Sequence, residues 1–79
     1  MAKDSNIVHQ YFRNVSGEIM ILVRVNPIHY TATEITVSST GEKELREFEL
    51  NEEFESELAA EGYKPAGPIE FNLYLSGLT

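Results

Sequence analysis

Three features of the chain predict an α+β fold, ordered β-β-β-β-α-β, with a mostly antiparallel sheet and one short helix packed on one face. β-Branched and aromatic residues alternate through several short segments, Gly-containing turns separate them, and one acidic segment carries helix-capping residues at both ends. At 79 residues the chain is expected to form a single α+β domain, because a second would leave neither half enough apolar material for a core. Residues 1–5, polar but for Met1 and Ala2, are expected to be disordered.

The first expected strand is Ile7 to Arg13, where Ile, Val, Tyr and Phe concentrate. "NVSG", Asn14 to Gly17, supplies turn residues and leads to Glu18–Val25. In that second strand Ile19, Ile21, Val23 and Val25 share one face while Met20 and Leu22 share the other, as a central strand requires. Pro27 ends it, since proline lacks the N–H that a ladder needs. Tyr30 to Ser38 reads as a third strand, with Ile35 and Val37 alternating inward. "STG", Ser39 to Gly41, is a hairpin turn into a fourth strand from Lys43 to Leu50. There Phe48 and Leu50 share a face, and Leu45 falls out of step, as at a bulge.

A helix of about three turns follows. Asn51 is its expected N-cap, with Glu52 and Glu53 in the first turn, where the helix dipole favours negative charge. Phe54 and Leu58, four apart, form one buried stripe. Gly62 and Tyr63 stand where a Schellman ending places a left-handed residue and its apolar successor. The last segment, Ile69 to Ser76, alternates Ile69, Phe71, Leu73 and Leu75 and reads as a final strand. One helix covers one sheet face, so Val8, Phe12, Met20, Leu22 and Tyr74 are expected to form a second apolar patch. Either that patch is a homodimer interface, or the sheet curls to bury it.

The formal net charge of −7 is concentrated. Between Glu42 and Glu61 nine acids face two bases, Lys43 and Arg46; elsewhere four acids balance four bases. Nucleic-acid binding needs clustered Lys and Arg to neutralise phosphates, so that class is disfavoured. The longest apolar run, Ile19 to Val23, is too short for a membrane span, and the amino terminus has no signal-peptide core; a cytoplasmic location is expected. The absence of cysteine removes disulfides, thiolate metal sites and thiol nucleophiles.

Chemistry-bearing constellations are sparse. His9 and His29 lie on different expected elements without metal-ligand spacing. The acidic segment lacks the central glycine of an EF-hand loop. Ser16, Ser38, Ser39 and Thr40 sit at turns and strand ends, where backbone reasons favour them. No catalytic residue, cofactor or metal is assigned, and the chain is not expected to be an enzyme.

The acidic quarter has two readings. It is either the solvated face of one strand and one helix, or a surface that docks a basic partner protein. The dipole accounts for Glu52 and Glu53, but leaves Glu47, Glu49, Glu55, Glu57 and Glu61 without a local reason. Those five are the candidate protein-binding residues. The expected function is a non-catalytic protein-interaction module, self-associating or docking a basic partner. The alternatives are an accessory or structural subunit completed by another chain, and a minimal ligand-binding domain or enzyme.

Overall fold

A computed structural model describes residues 8–77, so the expected disordered start and Ile7 lie outside the described residues. Along the chain run β1 (Gln10–Ser16), β2 (Ile19–Asn26), β3 (Thr31–Ser38), β4 (Lys43–Glu49), α1 (Phe54–Ala60), β5 (Lys64–Ala66) and α2 (Pro68–Gly77). The strands form one antiparallel sheet in the order β4-β3-β2-β1-β5, and the fold is α+β.

Turn chemistry fixes the register. β1 runs on to Ser16, which pairs with Ile19, so the first turn is the two-residue Gly17–Glu18 rather than "NVSG". Gly17 has φ +61°, the positive value needed at the first central position of a type II′ hairpin. After β2, Asn26 accepts at Oδ1 from the N–H groups of Ile28 and His29, and its carbonyl accepts from Tyr30 at 2.9 Å. That tight reversal leaves Tyr30 at φ +55°. In the third turn Gly41 takes φ +93° and donates to the carbonyl of Ser38.

From these turns β3 and β4 pair without interruption from Thr31↔Glu49 to Val37↔Lys43. There is therefore no bulge at Leu45, contrary to the sequence expectation. Leu45 stands opposite Ile35 and is 51% exposed because β4 is the sheet's edge.

The central position of β2 buries both of its faces, as its two-sided pattern demands. On one side Val23, Val25 and Ala32 pack with Phe54 and Leu58 of α1, joined by Phe12, Ile21, Phe48, Leu50 and Tyr63. On the other, Leu22 and Ile35 pack with Phe71, joined by Tyr11, Met20, Val37, Tyr74 and Leu75.

The second cluster corrects the reading of Ile69–Ser76 as a strand. The segment is the helix α2, begun by Pro68 at its first position, where the missing N–H costs no hydrogen bond. Phe71, Tyr74 and Leu75 recur at helical spacing and face the sheet, while Ile69 and Leu73 are 73% and 68% exposed. α2 thus covers the second apolar face, so neither a second copy nor curling of the sheet is needed to bury it. Of the residues expected there, Met20 and Leu22 lie beneath α2, Tyr74 belongs to α2 and faces the sheet, Phe12 belongs to the α1 side, and Val8 is exposed. A short edge strand, β5, unforeseen in the sequence, links the two helices.

Candidate functional site

The acidic segment folds around one end of α1. Asn51 accepts at Oδ1 from the Glu53 N–H at 2.8 Å, and its carbonyl accepts from Phe54 at 3.2 Å. It therefore organises the turn before α1, while the helix cap itself is Glu53, which makes no side-chain capping bond. At the other end Tyr63 donates to Leu58 at 2.9 Å and Gly62 to Ala59 at 3.1 Å, the two bonds of a Schellman ending. Gly62 adopts φ +98°, as that ending needs. Asn14 of β1 donates from Nδ2 to the Glu61 carbonyl at 3.1 Å, tying the helix end to the sheet.

Between α1, the end of β4 and the centre of β3 lies a cleft of about 540 Å³. Phe48, Leu50, Phe54 and Leu58 give it apolar walls. Glu34, Glu57 and Glu61 line it with carboxylates, against the single guanidinium of Arg46, while Glu49 borders it at the end of β4, its side chain set by the register on the α2 side with Glu47. Arg46 pairs with Glu34 at 3.1 Å and lies 4.9 Å from the centre of the Phe48 ring. The Glu34 side chain is only 13% exposed, so that pair is partly withdrawn from water. Glu57 accepts from Asn51 Nδ2 at 3.2 Å, which holds its carboxylate at the helix's first turns.

The Tyr63 phenol also lines this cleft, and its pKa is raised above 10.0. Burial is the main cause, followed by the charges of Glu34 and Glu61; Arg46 works in the opposite sense. The phenol is held protonated, as a donor among carboxylates.

The five candidate glutamates do not form one surface. Glu57 and Glu61 meet at the cleft, and Glu49 only borders it from the end of β4. Glu47 stands opposite Thr33 on the α2 side of the sheet, and Glu55 borders a separate depression beside β1 and β5, near His9 and Pro65. Glu34, Arg46 and Tyr63 are not among the binding residues expected from the sequence. A signal for the first two was present: the hairpin turn at Ser39–Gly41 sets Glu34 directly opposite Arg46. His9 precedes β1, and His29 lies exposed in the β2–β3 turn. Among the described residues no three His, Asp or Glu side chains are grouped to hold a metal ion, and no helix is long and apolar enough to cross a membrane.

Comparison with protein-family models, with curated proteins and with solved structures finds no match for this chain.

Proposed function

We propose that the chain is a non-catalytic protein-interaction module that docks a basic segment of a partner protein in the cleft between α1 and the end of β4. The observation that carries this reading is the composition of the cleft, where the carboxylates of Glu34, Glu57 and Glu61 and a protonated phenol stand among apolar walls with one guanidinium. Such a site suits a segment that alternates Lys or Arg with apolar residues. The cations meet the rim, and the apolar side chains cover Phe48 and Leu50.

The test is titration of the full chain with a Lys/Leu-alternating peptide and with a Glu/Leu peptide of equal length. The cationic peptide alone should bind, more weakly as salt rises. Substitution E57K/E61K should remove that binding while the far-UV circular dichroism stays unchanged, whereas E55K, outside the cleft, should leave it within about twofold, as a distant exposed charge does. Equal affinity for both peptides, or binding indifferent to E57K/E61K, would exclude the cleft.

A further inference from the structure

The second inference concerns β4 and does not depend on the cleft. β4 is the edge of the sheet, bonded on one side only, to β3. The bonds flanking the strand pair, Ser38 N–H to Glu42 and Leu50 N–H to Tyr30, show which residues turn their backbone groups toward β3. They are the even-numbered ones. Alternation then leaves the N–H and C=O groups of Lys43, Leu45, Glu47 and Glu49 directed outward, available to another strand.

The side chains on this edge read Lys43, Glu44, Leu45, Arg46, Glu47. Reversed about Leu45, the series is its own electrostatic complement. A second copy laid antiparallel with Leu45 against Leu45 puts Lys43 opposite the partner's Glu47 and Glu44 opposite the partner's Arg46, with the reciprocal pairs repeated by the two-fold axis. Slipping the register by two residues one way sets Arg46 against Arg46. Slipping it the other way sets Glu44 against Glu44. One register alone opposes unlike charges throughout.

In the isolated chain most of these charged side chains have no ion-pair partner. Among the described residues the ion pairs are Arg13–Glu70 and Arg46–Glu34, so Lys43, Glu44 and Glu47 have none. Arg46 is 67% exposed beside Glu34 and has five N–H donors, enough for a second carboxylate. Leu45, with half its surface in water, is the apolar contact on the axis.

We infer that β4 is a self-association surface whose partner is a second copy of this chain, joined β4 to β4 about Leu45. The axis is perpendicular to the sheet, so both copies of α1 lie on one face and both copies of α2 on the other. The contact is shorter than a standard interface, and the dimer is correspondingly weak and concentration-dependent.

Sedimentation velocity on the full chain up to about 1 mM, the concentration range in which weak pairs associate, tests the inference. The wild type should dimerise. K43E or E47K alone should weaken the dimer by about tenfold or more, because symmetry introduces each like-charge pair twice. An equimolar mixture of K43E and E47K should form a heterodimer, and the double variant K43E/E47K should regain self-association, which also shows that both substitutions leave the fold intact. In hydrogen exchange, the amides of Lys43, Leu45 and Glu47 should gain protection as concentration rises. A wild type that stays monomeric, a dimer unmoved by the single variants, or a mixture that fails to pair would each overturn it. Neither substituted residue lines the acidic cleft, so these results are separable from those of peptide docking.

Discussion

At the scale of single residues, Tyr63 joins three roles at one position. Its backbone closes α1, its ring packs on the core cluster of that helix, and its hydroxyl lines the acidic cleft. Because burial and the neighbouring glutamates raise the phenol's pKa in the folded chain, the native state holds this proton more tightly than the unfolded chain does. The stabilisation from that difference is fully present below pH 10.0, the ordinary tyrosine value, and is lost as pH rises through the higher folded value. Urea unfolding followed from about pH 8 to pH 11 should therefore show falling stability at the alkaline end. Y63F should reduce that loss, and an unchanged alkaline slope in Y63F would assign it to other groups. Tyr63 sits in this environment only because Gly62 can adopt φ +98°, which redirects the chain from the helix back across the sheet.

Among elements, α2 separates what the sequence makes legible from what it hides. The hairpins, the central strand and the Schellman ending of α1 follow from local signals: glycine at positive φ, a two-sided apolar strand, and Gly-Tyr after an apolar stripe. α2 does not, because Ile69, Phe71, Leu73, Tyr74 and Leu75 leave little polar contrast around the helix. Such a segment satisfies the alternation of a strand and the spacing of a helix together. What decided it is tertiary: the second face of β2 and β3 needs cover, and Phe71, 1% exposed, provides it.

The two conformations predict different mutational patterns. In a strand Phe71 and Leu73 would share a face and cost alike. In the helix, Phe71→Ala should cost about 3–5 kcal/mol, a large share of what so small a domain has, whereas Leu73→Ala should stay within about 0.5 kcal/mol. Chemical denaturation of the pair distinguishes the two. The cleft was half legible for a related reason. Its helical glutamates stand out in the sequence, but Glu34 and Tyr63 enter through strand register and chain reversal, which place distant residues side by side.

The whole molecule is a five-stranded sheet held between two helices, with its charge excess carried by β4, α1 and the loop between them and spread over both faces of the sheet. Few cations relieve that excess: among the described residues only Arg46 and Arg13 enter ion pairs. Self-repulsion of this kind opposes the compact state and is screened within a few ångströms at high ionic strength. Raising NaCl from about 0.05 M to about 0.5 M should therefore raise the midpoint of thermal unfolding, by about 4–8 °C for each kcal/mol of repulsion relieved. A midpoint that falls instead would mean that the two ion pairs outweigh the repulsion.

The two margins of the sheet are unlike, and that difference sets a limit on assembly. β4 turns the backbone groups of four residues outward, whereas β5 is only three residues long, and its middle residue is Pro65, which has no N–H to give. A sheet that can extend at one margin and is stopped at the other adds a single neighbour and then has no long edge left. Chains joined in this way terminate as pairs, and the fold contains its own barrier to growing into a fibre.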